Sequence, residues 1–326
     1  MAKYLFLILA LLAACDQPKK PPLVHLSGVA MTMEWRAQIK GPLKDPAEVE
    51  RLIERSFREV NLVYNRWNPL SEISKINRQQ AHLSTPISPQ LQKFLAFTDE
   101  MVKLSGGRFD PTIEPLQTLW KSKLVRNEIP TDEEILDILP AVGWKHFQIE
   151  NGHLTKDQEL TSFDLGGIAK GMAVDMVVER LNQAGYSDVY FEWGGEIRAT
   201  GKHPEGRPWT VFIARLKNSD PKDAIDLVAL DNEAIATSGD YEQFWVVRHP
   251  DGTSTTYFHV IDPETGRPLT SREDGIASVS VVAPTCAIAD ALATTALSFP
   301  NLDEAEAFAL KAQKVFPTAR FWFVKR

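Results

Sequence analysis

Residues 162–185 read SFDLGGIAKGMAVDMVVERLNQAG, a tight turn that leads into a helix. Apolar residues recur at helical spacing after the glycine pair, and Gly185 favours the end of the helix. The two glycines allow a ligand to approach the backbone, and the free N–H groups of a first helical turn favour an anion. Asp164 and Lys170 stand near this end as an acceptor and a cation. A helix capped by Asp164 has the same pattern, so both interpretations stay open here.

The composition is that of a globular protein. The chain has 326 residues, of which 44% are hydrophobic and 24% charged, enough for one large or two medium domains. Lys and Arg number 36 against 43 Asp and Glu, a net charge of 36 − 43 = −7. This balance argues against non-specific binding of nucleic acid, which needs a basic surface.

The N-terminus has the pattern of a targeting segment. Lys3 precedes a short apolar run over residues 4–14, which is too short to be a comfortable transmembrane helix. The run ends in Leu-Ala-Ala-Cys and resembles a bacterial lipoprotein signal, in which the cysteine carries lipid. We therefore expect a signal peptide at 1–14, lipid on Cys15, a tether at 15–27 and one catalytic domain at 28–326. A plain secretory peptide cut near residue 14 is the alternative.

The predicted location follows from the same segment. Asp16 directly after Cys15 resembles the signal that keeps lipoproteins at the inner membrane of Gram-negative bacteria. Three acyl chains would anchor the protein firmly, since one chain alone binds only marginally. We expect an inner-membrane, lipid-anchored protein that faces the periplasm.

The remaining cysteine and the histidines do not indicate a zinc site. Lipid on Cys15 would leave Cys286 without a disulfide partner, and its apolar, strand-like surroundings favour a buried small hydrophobe. The seven histidines include no His-x-x-x-His pair.

The order of predicted elements indicates the fold class. Amphipathic patterns predict helices at 46–64, 88–104, 131–139 and 287–297. Strand patterns occur at 31–40, 188–193, 196–201, 209–215, 227–230, 234–238, 257–262 and 277–283. Because these elements do not alternate regularly, a doubly wound parallel sheet is disfavoured. We expect an α+β to α/β fold with mixed, largely antiparallel sheets flanked by helices, and two lobes around a ligand cleft.

Two turn-rich segments are candidate ligand contacts. Trp67 lies in one of them, where it is either a packing residue or a plate for a flavin ring or adenine. Arg108, Phe109 and Asp110 follow a glycine pair, and such a loop could grip a phosphate and an aromatic ring. The alternative is a helix C-cap and a turn.

Asp290 and Thr294 form the clearest candidate for a metal site. Their i, i+4 spacing puts a carboxylate and a hydroxyl on one helix face, and Mg²⁺ prefers such oxygens. A solvated Asp and a Thr bonded to its own helix have the same spacing. Five alanines surround the pair, which predicts a closely packed helix whose two oxygen-bearing residues have a function.

Eight segments, in order from about residue 28 to 298, resemble the signature blocks of the FAD:protein FMN transferase (ApbE) family. They are AMTMEW, NRWNPLSEISKIN, GGRFDPTIEPL, TSFDLGGIAKGMAVD, EWGGEIRATG, ATSGDYEQFW, HVIDPETGRPL and SVVAPTCAIADALAT. Each block alone is weakly specific, whereas eight in sequence make a strong match.

The resemblance implies a role for particular residues. FAD contacts would fall on Met31, Trp67, Arg108, Phe109, Asp110, Asp164, Lys170 and Ile261. Magnesium would be held by the backbone carbonyl of Gly167 with Asp290 and Thr294. His259 matches the position of the catalytic base, although a strand-end histidine bonded to backbone is an alternative. The chain departs from the family at one point, since Thr32 stands where the family commonly has glycine.

The resemblance also implies the reaction. A Thr or Ser hydroxyl of a target protein would attack the FMN phosphorus of FAD, AMP would leave, and FMN would stay attached through a phosphoester. The target would be a subunit of a membrane redox complex. A metal-dependent FAD pyrophosphatase that yields FMN and AMP, and a non-catalytic FAD-binding lipoprotein, are the alternatives.

Overall fold

The computed structural model describes residues 20–215, 220–240, 243–272 and 275–326. The predicted signal peptide and Cys15 lie outside these residues. Within the described ranges, no helix has both the length and the apolar character needed to cross a bilayer.

The described residues form eight α-helices and fifteen strands. The helices are α1 (Pro46–Val63), α2 (Glu72–Arg78), α3 (Pro89–Ser105), α4 (Glu114–Leu124), α5 (Asp132–Ile138), α6 (Ala169–Gln183), α7 (Cys286–Leu297) and α8 (Leu302–Val315). The strands are β1 (Leu23–Ala30), β2 (Met33–Lys40), β3 (Thr85–Pro86), β4 (Phe147–Glu150), β5 (His153–Lys156), β6 (Val189–Trp193), β7 (Glu196–Thr200), β8 (Trp209–Ile213), β9 (Asp226–Leu230), β10 (Ala234–Gly239), β11 (Phe244–Arg248), β12 (Ser254–Asp262), β13 (Arg267–Thr270), β14 (Ile276–Ala283) and β15 (Arg320–Lys325).

A seven-stranded antiparallel sheet, in the order β1-β2-β6-β7-β10-β14-β15, is the centre of the fold. Smaller antiparallel sheets pair β11-β12-β13, β3-β5-β4 and β8-β9. The prediction of largely antiparallel sheets flanked by helices is thus confirmed. The start of the domain differs from the prediction, because residues 23–27, which we assigned to the tether, belong to β1.

The two faces of the central sheet are covered by different elements. The helices α1, α6 and α7 pack on one face, whereas the β8–β9 hairpin covers the other. Strand β14 is buried at all eight positions because both of its faces are covered. This explains why its sequence is a continuous apolar run without polar alternation.

Helices α6 and α7 approach each other closely. A Cβ built at Gly171 of α6 would stand 2.3 Å from the carbonyl oxygen of Cys286, so only glycine allows this approach. The buried carboxylate of Asp175 accepts hydrogen bonds from the backbone N–H groups of Cys286 (2.8 Å) and Ala287 (2.9 Å). Asp175 therefore binds the first turn of α7 directly to α6, and Arg198 pairs with the same carboxylate at 2.8 Å.

A separate hydrophobic cluster lies between α4, α5 and the β11-β12-β13 sheet. It includes Leu116, Trp120, Ile135, Val247 and Ile261. This cluster corresponds to the second of the two expected lobes. The ion pair between Arg108 and Asp262, with 2.9 Å between Nη1 and Oδ1, ties the loop after α3 to the end of β12.

Candidate active site

The start of α6 contains the candidate residues of the glycine-rich turn. Asp164 is not the N-cap of α6, because that position falls on Ile168, which has no side-chain cap. Asp164 instead accepts a hydrogen bond from the backbone N–H of Gly166 at 2.9 Å, and its other oxygen lies 3.4 Å from Arg66 Nη2. The side chain therefore shapes the turn before the helix rather than the helix end.

The backbone at Gly167 touches α7. A Cβ at this position would stand 2.8 Å from Thr294 Cγ2 and 2.9 Å from Thr294 Oγ1, so a larger residue would displace Thr294. The Thr294 hydroxyl also lies 3.1 Å from the Ser238 hydroxyl at the end of β10. The alternative in which Thr294 bonds its own helix is wrong. Its neighbour Thr295 does that, through the carbonyl of Ala291.

Asp290 lies one turn before Thr294 and is only 2% exposed, so it is not a solvated helix residue. Its Oδ2 accepts a hydrogen bond from the backbone N–H of Gly171 at 3.0 Å. The structure therefore brings together Gly167, Asp290 and Thr294, the three residues of the implied metal set.

Lys170 and Glu196 complete this cluster. The Lys170 ammonium donates to the carboxylate of Glu196, the first residue of β7 after the two-residue turn at Gly194-Gly195. Glu196 is 1% exposed, and its Oε2 is buried with no hydrogen-bond partner. A buried acceptor oxygen beside a second carboxylate favours a cation at this position.

Burial raises the pKa values of both carboxylates. Loss of solvent raises the pKa of Glu196 to about 8, and the charge of Asp290 adds to the rise while Lys170 opposes it. Burial likewise raises the pKa of Asp290, against the effects of Lys170 and the Gly171 N–H. One ammonium is thus shared by two buried acids, and a divalent cation would stabilise their charged forms.

The donor chemistry fits a hard cation. A carboxylate, a hydroxyl and a backbone carbonyl are the oxygen ligands that Mg²⁺ takes together with phosphate oxygens. No group of three or more His, Cys, Asp or Glu in the described part of the chain is arranged to hold a metal. An ion here would be held by oxygens of Gly167, Asp290 and Thr294.

Trp67 is an exposed aromatic residue linked to Asp164 through Arg66. Its side chain is 68% exposed, which argues against the packing interpretation. The Arg66 guanidinium lies 4.1 Å from the ring centre and the Lys121 ammonium 5.1 Å. Arg66 also pairs with Glu114 and Asp164, so one arginine links the exposed ring to the turn before α6.

The segment after α3 is mostly structural. Phe109 is buried in the main core. Asp110 accepts from the backbone N–H groups of Thr112 and Trp144, so both of its oxygens are used inside the protein. Arg108 pairs with Asp262, and Ile261 is buried in the second lobe. These contacts match the C-cap-and-turn alternative for residues 108–110.

His259 lies on β12 opposite the start of β11. Its backbone N–H donates to the carbonyl of Gln243, and its Nδ1 is 3.3 Å from the same oxygen. It acts electrostatically on Asp240, which is 2% exposed and paired with Arg326. Ser238, near the end of β10, contacts Thr294, and Asp240 follows two residues later. The end of β10 therefore lies between His259 and Thr294 in this chain of contacts.

Met31 occupies a two-residue turn between β1 and β2. Met31 (φ 47°) and Thr32 (φ 70°) both adopt left-handed backbone conformations, as a type I′ turn requires. Thr32 is β-branched, and a β-branched residue is strained in this conformation. The neighbouring Met33 packs against Gly194, so this turn lies beside the β6–β7 turn that leads to Glu196.

A family model describes most of the chain. Residues 31–316 match the model of the ApbE family. The chain belongs to the ApbE family. Curated relatives of this ApbE member include the FAD:protein FMN transferase of Chlamydia pneumoniae, 38% identical over 308 residues that cover 93% of each chain. The FAD:protein FMN transferase of Vibrio cholerae is 34% identical over 293 residues, which cover 88% of this chain and 84% of the relative.

Solved ApbE structures share the fold. The flavin transferase ApbE from Vibrio cholerae superimposes with a TM-score of 0.78 at 29% identity and covers 94% of both chains. The ApbE protein of Thermotoga maritima gives a TM-score of 0.80 at 25% identity, covering 93% of this chain and 94% of its own.

Three residues that the structure places in or beside the candidate site were not predicted from the sequence, namely Arg66, Glu196 and Asp240. Each is a charged residue beside a predicted turn or glycine pair, within blocks that carry the resemblance. What distinguishes these three residues is their burial. The sequence does not show whether a charged side chain in a loop is buried.

Proposed function

We propose that this ApbE-family chain is a Mg²⁺-dependent FAD:protein FMN transferase. It takes FMN from FAD, attaches it through a phosphoester to a Thr or Ser of an acceptor protein, and releases AMP. The observation that best supports this proposal is the meeting of α6 and α7, where Gly167 contacts Thr294 and the Gly171 N–H binds Asp290. The names of the curated relatives and solved structures support flavin transfer.

Gly167, Asp290 and Thr294 would hold the magnesium, with Glu196 and Lys170 beside it. When bound, Mg²⁺ neutralises charge on a pyrophosphate, which is the main requirement of phosphoryl transfer. Lys170 orients the anionic phosphates from the start of α6, where the positive end of the helix dipole favours the same charge.

The transfer step conserves all atoms. The acceptor hydroxyl oxygen forms a bond to the FMN phosphorus, and the bond from that phosphorus to the bridging oxygen breaks. The bridging oxygen leaves with AMP. His259 accepts the hydroxyl proton, the role of a general base.

FAD recognition is assigned to residues around this cluster. Trp67 offers its exposed face to a flavin or adenine ring, and Met31 contacts the ligand from its turn. Asp164 and Lys170 bind near the start of α6. Arg108 and the backbone of Ile261 contribute from the second lobe, whereas Phe109 and Asp110 support the loop from inside.

Intact-mass measurement of an acceptor separates transfer from its alternatives. The chain is incubated with FAD, Mg²⁺ and the flavin-carrying subunit of a sodium-pumping electron-transfer complex. A gain of one FMN by that subunit supports the proposal. Free FMN and AMP without a gain would indicate a pyrophosphatase, and unchanged FAD would indicate storage.

The location proposed for the protein is the periplasmic face of the inner membrane. Lipid on Cys15 would hold the domain there, beside an acceptor that is a subunit of a membrane redox complex. The Cys15→Ser variant should then leave the membrane fraction, whereas Cys286→Ser, a change at a buried cysteine, should stay. Membrane retention of Cys15→Ser would contradict the anchor.

A further inference from the structure

Strand β11 has an open outer edge next to His259. It is the first strand in the order β11-β12-β13, so among the described strands it pairs on one side, with β12. Two of its apolar side chains are well exposed, Phe244 at 54% and Val246 at 48%. An edge strand with exposed apolar residues is a template for another extended chain.

The register shows which backbone groups point outward. His259 N–H donates to the Gln243 carbonyl, and His249 N–H donates to the Thr253 carbonyl. Because ladder bonds alternate in an antiparallel pair, the odd-numbered residues from Gln243 to His249 face β12. The N–H and C=O groups of Phe244, Val246 and Arg248 therefore face away from the sheet.

One of these outward positions is already filled. The side-chain amide of Asn127 accepts from the Arg248 N–H at 3.0 Å and donates to the Arg248 carbonyl at 3.2 Å. The amide thus bonds the edge as the peptide group of a neighbouring strand would. In the four described ranges, no comparable partner bonds the outward groups of Phe244 and Val246.

We propose that an extended segment of the acceptor protein pairs with β11 at Phe244 and Val246, an inference that rests on the proposed transferase function. Backbone hydrogen bonds to the two open positions would provide affinity. Alternate apolar side chains of the segment would pack on Phe244 and Val246, in the recognition mode of strand addition. The edge continues to Gln243, whose carbonyl binds His259, so docking brings the acceptor to the candidate base.

Strand spacing determines where the target hydroxyl lies in the acceptor. Neighbouring strands are about 4.8 Å apart, so the docked segment lies two spacings, about 10 Å, from the backbone of β12. A hydroxyl within the paired residues would be too far from His259 for proton transfer. The modified Thr or Ser therefore lies beyond the paired residues, past the Gln243 end of the edge.

Proline at position 246 tests the backbone contact. Val246→Pro removes an outward N–H and leaves the ladder bonds to β12 in place, since proline is tolerated at such edge positions. With the sodium-pump subunit as acceptor, the KM for this subunit should rise roughly tenfold, because one hydrogen bond is lost. The kcat at saturating subunit should be retained. Val246→Ala, which keeps the N–H, is the matched control and should change KM less than about threefold.

Amide exchange gives a second measurement that does not depend on the variant's folding. Binding of the subunit to the wild-type protein should slow exchange at Phe244 and Val246 and leave Trp245 and Val247 unchanged. A wild-type KM for Val246→Pro, or unchanged exchange at both edge amides, would overturn edge docking while transfer itself stands. A wild-type protein that transfers no FMN to the subunit overturns the proposed function and the docking with it.

Discussion

At the scale of single residues, the local environment decides what a charged or strained side chain does. Lys170, Glu196 and Asp290 are ordinary residues in the sequence, yet in the fold one ammonium pairs with the buried Glu196 and also acts on the buried Asp290. Trp67 is the reverse case, an aromatic residue whose exposure makes it available to a ligand.

Thr32 stores backbone strain in the β1–β2 turn. A β-branched residue at φ 70° costs about 1–3 kcal/mol of folding free energy. Glycine would remove this strain, but its greater backbone freedom in the unfolded chain would offset part of the gain. Thr32→Gly should therefore raise the free energy of unfolding by about 1 kcal/mol in urea denaturation. Thr210→Gly, at an exposed extended position of β8, is the control and should lower it by a similar amount. Equal effects at both positions would show that the turn is not strained.

His259 is expected to accept the proton of the acceptor hydroxyl and not to contribute to FAD binding. His259→Ala should reduce transfer at saturating FAD about 100-fold, the usual contribution of a general base. The dissociation constant of FAD, measured by flavin fluorescence, should stay unchanged. His25→Ala, an exposed histidine on β1, is the control. A variant that binds FAD poorly but transfers at the normal saturated rate would make His259 a binding residue instead.

At the scale of elements, the contact between α6 and α7 creates the metal set. Gly171 permits the approach, and Asp175 binds the first turn of α7. Burial raises the pKa of Asp175 to about 6, although Arg198 and the two N–H groups oppose the rise.

This raised pKa predicts a pH-dependent stability. The native chain holds the Asp175 proton up to about pH 6, whereas the unfolded chain releases it near pH 4, so the native state binds more protons in this window. The contribution of this group to the free energy of unfolding should fall by about 3 kcal/mol as pH rises from 4 to 6. The free energies of unfolding of the wild type and Asp175→Asn, measured by denaturation in chelator at pH 4–7, give this contribution. Parallel curves for the two proteins would contradict the shifted pKa.

The sequence predicts the regular elements better than the irregular ones. Strong periodicity locates α1, α3 and most strands of the central sheet. In each of them, apolar residues that repeat at the helical or strand period identify the buried face. The structure adds β1, α2, α4, β11, β13, α8 and β15. Strand β1 follows the polar spacer, and α4 has no side-chain N-cap, so local signals there are weak.

At the scale of the whole molecule, the site depends on contacts between distant parts of the chain. Asp290 meets Gly171 across 119 positions, and Arg108 meets Asp262 across 154. No local pattern contains these distances. Local spacing and turn chemistry indicated Asp290, Thr294, Asp164 and Lys170 one element at a time, and the family resemblance grouped them and added Gly167 and His259. The buried partners Glu196 and Asp240 could be identified only once the fold was known.

The central claim is that α6 and α7 form one metal site that supports FMN transfer. The most direct measurement is the intact mass of the acceptor subunit after incubation with FAD and either wild type or Asp290→Ala, with Mg²⁺ or chelator. We predict a gain of one FMN only for the wild type with Mg²⁺, and an unchanged result for the control Asp303→Ala, an exposed residue of α8. Transfer at the wild-type rate by folded Asp290→Ala, or by the wild type in chelator, would contradict the claim.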